Sequence, residues 1–333
     1  MSNTNKNIQL NLAEQSGISC FFSSLKVLSD YFGNNVPEYF IYFMADGLNV
    51  VYSSMVKENN IDNENLGLIF PDMNQSLKMF SEQSALMIKP LDQQVFNWPI
   101  REILNDGKLI LLIIAPNILP FMKRKFDHII TTEKHAVLVS GWNETEKVIE
   151  VFDPYMVTDG GQISIGQGTL PILDIQDSLF QAFTISNEIE HKILDKEVLL
   201  EQSIRKIHKF IESPDNTGKI SGLSACKKML NEQFNCNTDK KSYVRLAFII
   251  KTNWLATLDY ITAMVNDQKD VSLLNQDEIY LLKRSWDKAY MRLIRFGYNI
   301  HKNNGQQIIE EVENLLDQQV CLFKSFCDQI KRR

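Results

Sequence analysis

Cysteine is scarce in this chain and falls into no recognisable pattern. The 333 residues include five, at positions 20, 226, 236, 321 and 327, and none belongs to a Cys-x-x-Cys pair. An odd count without metal-type spacing argues against a disulfide framework and a zinc ribbon, and it reads as reduced thiols. Long apolar runs are also missing. The longest, "LILLIIA" from Leu109 to Ala115, is ended by Pro116 and is far short of the roughly 20 residues a spanning helix needs. The start, "MSNTNKNIQLNLAEQ", lacks a basic stretch followed by an apolar one, so no secretory leader is expected. These absences together read as a cytoplasmic protein with no membrane partner. There is no Gly-x-Gly-x-x-Gly and no Gly-x-x-x-x-Gly-Lys-[Ser/Thr], which removes the usual dinucleotide and nucleoside-triphosphate loops. Proline almost vanishes after residue 190: eight of nine lie before it, and only Pro214 after.

That last asymmetry divides the chain into expected domains 1–190 and 191–333. Charge divides it in the same place. Residues 1–190 hold 12 basic and 23 acidic side chains, a balance of −11, and residues 191–333 hold 23 and 18, a balance of +5. The acidic first half argues against a nucleic-acid partner, and the sign change is what two halves with different partners would show. The second half is free of breakers over long stretches and reads as all-helical, with helices near 193–212, 220–234, 240–266, 276–302 and 306–330. Leu282, Trp286, Tyr290, Leu293 and Phe296 recur at spacings of three and four, a buried stripe. At 333 residues with 44% hydrophobic side chains, two cores are affordable without staples.

The first half mixes helix and strand. "CFFSSLKVLSDYF" predicts a helix from about Cys20 to Tyr31, with Phe21, Leu25 and Leu28 on one side and Gly33 as its stop. Short helices are expected near 37–44, 50–58 and 73–82. Strands are expected at 85–91, 109–115, 135–142 and 148–154. A helix followed by a mainly antiparallel sheet is α+β architecture.

The segment with most chemistry in it is "EKHAVLVSGWNETEKVIEVFDPY", Glu133 to Tyr155, which reads as a β-hairpin turning at "NETE". His135 opens its first strand and Asp153 closes its second. If they face each other, paired positions sum to 288; Val137 then meets Val151, Val139 meets Ile149, and the loop has three or five residues. A carboxylate that accepts from one imidazole nitrogen fixes the tautomer and turns the other nitrogen outward as a base. Cys20 is the only cysteine of the first half. A thiol at a helix start beside a histidine forms thiolate readily. Backbone N–H groups there, with the amide of Gln15 five residues earlier, are candidate oxyanion donors. Cys20, His135 and Asp153 are therefore the candidate catalytic residues. Singly, each also fits a structural role: a buried thiol before two phenylalanines, a hairpin histidine, a strand-ending Asp-Pro. His128 lies seven residues before His135, but no cysteine or carboxylate completes a metal set with both. No metal and no bound cofactor are expected. Cys226, Cys236, Cys321 and Cys327 read as helical packing groups.

The order Cys, His, Asp on a helix and adjacent strands resembles the papain-like fold. "HAVLVSGWNETEKVIEVFDPY" is similar to the histidine segment of C39-type cysteine peptidases. Those place Gln six residues before the cysteine, where this chain has Glu14, with Gln15 one residue nearer. A resemblance over most of the chain is to the butirosin biosynthesis protein H family, through Gly17-x-x-Cys20 and through "GKISGL" at Gly218–Leu223, a Gly-x-x-Gly-Leu helix start. Many members have His before the cysteine, where this chain has Ser19. This resemblance implies a papain-like domain with a helical C-terminal region. It also implies an acyltransferase of natural-product (antibiotic) biosynthesis, with a related amide-forming enzyme in closthioamide-type assembly. The implied donor is the phosphopantetheine thioester of an acyl or peptidyl carrier protein, and the implied acceptor a small amine. Cys20 would carry the acyl group, His135 would shuttle the proton and Asp153 would orient His135. Two alternatives use the same fold: a C39-like cysteine peptidase or amidohydrolase, and a non-catalytic binding protein.

Overall fold

A computed structural model of the chain describes residues 17–53, 66–70, 73–84, 86–122, 134–157, 163–187, 195–212, 220–234, 238–267, 275–298 and 305–332. It is a mixed α+β protein with two antiparallel sheets. The elements in chain order are α1 (Cys20–Tyr31), α2 (Glu38–Met44), β1 (Val51–Tyr52), β2 (Leu68–Ile69), α3 (Met73–Ser84), β3 (Met87–Pro90), α4 (Ile100–Asn105), β4 (Leu109–Ile114), β5 (His135–Asn143) and β6 (Val148–Val157). They continue as β7 (Ile163–Pro171), α5 (Ile172–Ser178), β8 (Leu179–Ser186), α6 (Lys196–Glu212), β9 (Ile220–Ser221), α7 (Gly222–Gln233), α8 (Lys240–Ile249), α9 (Ala256–Asp267), α10 (Gln276–Gly297) and α11 (Gly305–Lys331). Two compact units result, Met1–Ile41 with Leu77–Asp195, and Tyr42–Ser76 with Lys196–Arg333. Residues 42–76, read from the sequence as part of the first domain, thus group with the helical half.

The first unit is built on a six-stranded antiparallel sheet in the order β3-β8-β4-β5-β6-β7. The apolar run "LILLII" is β4, near its centre, buried along its whole length. The first five residues of β5 are buried as well, so both faces of this part of the sheet are covered. One face packs Val137, Val139, Ile149 and Val151 into a core with Ile110, Leu112, Trp98 and Ile100. The helix α1 lies against β5 and β6. It buries Phe21, Leu25 and Leu28, the side the sequence pattern picked out.

The hairpin itself departs from the expected register. Asn143 pairs with Val148, Trp142 with Ile149 and Gly141 with Glu150; then, past a register shift, Val139 pairs with Val151 and Leu138 with Phe152. The sums are 291 and then 290, not 288. The turn is a four-residue loop, 144–147, held by Asn143 Oδ1, which accepts from the N–H of Thr145 at 3.1 Å and of Glu146 at 3.2 Å. An even loop alone would pair unlike faces. The extra residue at Ser140 corrects the parity and returns valine to valine. A bulge, and not the expected odd loop, keeps the apolar faces matched.

Further differences concern extents. The expected helix near 50–58 is instead strand β1 with non-helical Val50 and Ser53 on either side, and residues 54–58 lie outside the described residues. The strands β7 and β8 and the helices α4 and α5 had no clear sequence signal. In the second unit, the expected 240–266 helix is interrupted by a π-helical stretch at Ile250–Leu255 between α8 and α9. A π turn frees carbonyls from the usual ladder, and Trp254 O accepts from Gln319 Nε2 at 3.0 Å. Gln319 Oε1 accepts from Trp286 Nε1 at 2.8 Å, all within buried surroundings. Of the α10 stripe, Leu282, Trp286 and Leu293 are buried, while Tyr290 and Phe296 are half-buried. A second, three-stranded sheet, β2-β1-β9, belongs to this unit. Among the described residues no helix is long and apolar enough to cross a membrane.

Candidate active site

Cys20 is the first residue of α1, His135 the first of β5, and Asp153 lies within β6. In the observed register Asp153 falls beside Val137, two residues along from His135, so the two are diagonal neighbours rather than opposed. Diagonal cross-strand positions lie about 7–8 Å apart, within reach of long side chains. The imidazole spans the gap with its distal nitrogen: Nε2 donates to Asp153 Oδ2 at 2.8 Å. The expected His–Asp pairing is present, reached by a different strand alignment.

Asp153 is fully buried and His135 is 6% exposed. A buried carboxylate needs its lone pairs satisfied, and here both oxygens are used. Oδ1 accepts from the Tyr155 N–H at 2.9 Å, an Asx-type turn across Pro154, which has no N–H of its own. Asp-Pro therefore does not end the strand as expected; β6 runs on to Val157, with an irregularity between Asp153 and Met156. On the neighbouring β7, Gly166 pairs with Asp153. A side chain at Gly166 would overlap the Phe121 ring, and one at Gly168 would come within 2.8 Å of Pro120. The glycines leave room for Phe121 beside the strand that carries the carboxylate.

With Nε2 committed to Asp153, Nδ1 is the nitrogen left for Cys20, to which His135 is hydrogen-bonded. Burial acts most strongly on His135 and lowers its pKa. The charge of Cys20, the hydrogen bonds to Asp153 and Cys20 and the charge of Asp153 together outweigh burial and push it up to about 10. The three residues form one hydrogen-bonded chain from thiol to buried carboxylate. The folded value lies above the ordinary histidine value of 6.5. Protonated His135 thus contributes stability that is complete below about pH 6.5 and is lost as pH rises through about 10. An NMR titration of the ring is expected to show imidazolium throughout the neutral range. Cys20→Ala is expected to lower the midpoint, because the charge of Cys20 is the largest of the raising influences. A midpoint unchanged by Cys20→Ala would show that the two groups do not interact.

The approach to Cys20 is fixed by its backbone. Gly17 N donates to Pro154 O at 3.3 Å, Ile18 N to Glu38 Oε1 at 3.1 Å and Ser19 N to Ser23 Oγ at 3.3 Å. All three amides before the cysteine are committed. The first intrahelical bond is Ser23 N to Ser19 O at 2.9 Å, and the Ser19 side chain caps nothing. The Cys20 N–H therefore precedes the helical ladder and is a candidate backbone donor for an oxyanion. Gln15 lies outside the described residues, as do His128 and Cys236. Ser24 Oγ ties the helix start to the strand, donating to Cys20 O at 2.8 Å and reaching Ala136 O at 3.5 Å. Glu38, Ser23, Ser24 and Phe121 were not singled out from the sequence. The one signal for Glu38 is an acidic residue opening a helix, which names no partner.

The other described cysteines do not compete for this role in the same way. Burial pushes the Cys226 and Cys327 thiols up to about 12. Cys321, expected as a packing group, is exposed on α11 instead. Among the described residues no group of three His, Cys, Asp or Glu is arranged to hold a metal ion. In comparisons with known proteins, no family model matches this chain and no match to a curated protein was found.

Proposed function

We propose that the first unit is a papain-like cysteine acyltransferase that forms amides from carrier-protein thioesters. The observation that carries this reading is the hydrogen-bonded series Cys20–His135–Asp153, with the thiol at a helix start and the carboxylate fully buried. Such a series activates sulfur and little else.

Cys20 Sγ attacks the thioester carbonyl, and the oxyanion is held by the Cys20 N–H. The tetrahedral adduct expels the carrier's phosphopantetheine thiolate, which takes a proton from His135. One thioester is exchanged for another, so no ATP is consumed. An amine then attacks the acyl-Cys20 carbonyl, His135 removes its proton, and the amide leaves as Cys20 is regenerated. Asp153 keeps Nε2 occupied so that Nδ1 faces the sulfur throughout. The amide is more stable than the thioester, which draws the second step forward. The test supplies an acyl-carrier thioester with a panel of amines and separates amide from free acid by liquid chromatography and mass spectrometry. Amide formation that needs both Cys20 and the amine is expected. Free acid alone, whatever the amine, would replace transferase with hydrolase; cleavage of peptides without any amine would mark a peptidase.

A carrier protein of acidic surface is the partner proposed for the basic C-terminal stretch, residues 191–333. The helix α10 exposes Arg284, Lys288 and Arg295 together with Leu281 and Met291. Charge of one sign raises encounter rates and is screened by salt. Replacing those three with Glu is expected to lower kcat/KM for the acyl carrier about tenfold at low ionic strength. The gap should close as salt is added, and the rate with a short acyl-thioester lacking the protein should not change. An equal loss with both donors would place the effect elsewhere.

A further inference from the structure

The residues before the nucleophile are held by side chains that the acyl-transfer chemistry itself does not use. Glu38 Oε1 takes two hydrogen bonds, from the Ile18 N–H at 3.1 Å and from the Ser23 hydroxyl at 2.9 Å. The same hydroxyl accepts from the Ser19 N–H at 3.3 Å. Ser23 is buried at 2% exposure, so the loss of either partner would leave a polar atom without solvent. Gly17 is part of the arrangement. A Cβ there would overlap Ser23 Oγ and stand 2.5 Å from Glu38 Oε2, so the backbone reaches this close only because residue 17 is glycine. Gly17 N is in turn bound to Pro154 O, the carbonyl directly after Asp153. The chain that carries the thiol is thereby tied at three successive residues, one tie running to the strand that carries the carboxylate.

We propose that Glu38 is a positioning residue: acting through Ser23 and the Ile18 amide, it holds the Gly17–Ser19 segment so that the Cys20 thiol faces His135. The inference rests on the reading of Cys20 as the nucleophile. It adds a role for a carboxylate that acts through the backbone leading to the thiol. What the clamp requires is an acceptor oxygen at this point, rather than negative charge. A glutamine has one such oxygen, which can take both hydrogen bonds; an alanine has none.

The experiment compares wild type, Glu38→Ala, Glu38→Gln and Ser23→Ala, each in a Cys321→Ser background to remove the exposed thiol. Two quantities are read: the rate at which iodoacetamide alkylates Cys20 at neutral pH, located by peptide mapping, and the NMR titration midpoint of His135. Glu38→Ala is expected to slow alkylation about tenfold or more and to lower the His135 midpoint as the thiol moves away. Glu38→Gln is expected to stay within about twofold of wild type, with the wild-type midpoint. Ser23→Ala, a smaller change that should fold even if Glu38→Ala does not, is expected to fall between them. If Glu38→Ala or Ser23→Ala lowers the melting temperature but leaves both rate and midpoint at wild-type values, the role is merely structural and the proposal fails. A Glu38→Gln as slow as Glu38→Ala also overturns it, because charge and not the clamp would then matter. Failure of the acyltransferase reading shows separately, as wild-type protein that takes no acyl group from a thioester while the His135 midpoint still responds to Glu38→Ala.

Discussion

Asp153→Ala is expected to slow acylation of Cys20 about a thousandfold without unfolding the first unit. The carboxylate does two things. Its Oδ2 occupies His135 Nε2 at 2.8 Å, and its Oδ1 takes the Tyr155 N–H at 2.9 Å. Removing it lets the imidazole take either tautomer and turn, so the nitrogen facing Cys20 is no longer fixed. It also removes two of the influences that hold the His135 pKa up, and the ring midpoint should fall with the rate. Asp153→Asn separates the effects. An amide offers one acceptor oxygen and a donor, so it can satisfy His135 or the Tyr155 N–H but not both. Its rate should lie between wild type and Asp153→Ala. Single-turnover acylation at saturating thioester measures the chemical step directly. A rate for Asp153→Ala within tenfold of wild type would mean that His135 is oriented by something else.

The largest effect on stability is expected from Trp286→Ala in the helical unit, a loss of about 3–5 kcal/mol. Trp286 is completely buried, with its ring 5.6 Å from that of Trp254. The substitution opens a cavity and also strands a hydrogen bond. Gln319 Oε1 loses the indole N–H, while its amide stays tied to Trp254 O in the π-helical stretch. Trp286→Phe keeps most of the volume and loses only the donor, so it should cost less, about 1–3 kcal/mol. Urea denaturation followed by circular dichroism measures both. A loss under 1 kcal/mol for Trp286→Ala would show that the network and the packing around it are dispensable.

Local patterns made part of this molecule legible and long-range contacts decided the rest. "HAVLV" and "VIEVFD" announced a hairpin because their apolar residues are bounded by polar turn residues. The requirement that valine meet valine then predicted the right faces. It did not predict the bulge at Ser140, since one extra residue changes register without changing composition. The strand β7 stayed hidden because Gly166 and Gly168 replace apolar positions in order to admit Phe121 and Pro120, and that need arises only in the folded sheet. The meeting of Cys20, His135 and Asp153 was legible because few side chains of the first half suit it: one thiol, one strand-opening histidine, one carboxylate at matching parity. Glu38 was not recoverable, because nothing near it in sequence points to Ile18 or Ser23. Cys321 shows the reverse error, a cysteine in an apolar-looking helix whose position on α11 faces outward. The grouping of residues 42–76 with the helical unit likewise leaves no trace in composition.

The proposed role of Cys20 is that of a nucleophile that accepts acyl groups from thioesters. It is tested most directly by incubating the protein with an acyl-phosphopantetheinyl carrier, without amine, and measuring intact mass followed by peptide mapping. Wild type is expected to gain an adduct of one acyl group, located on Cys20, released by added amine and absent from Cys20→Ala. A wild-type protein that stays unmodified, or a Cys20→Ala variant that carries the same adduct, would contradict it.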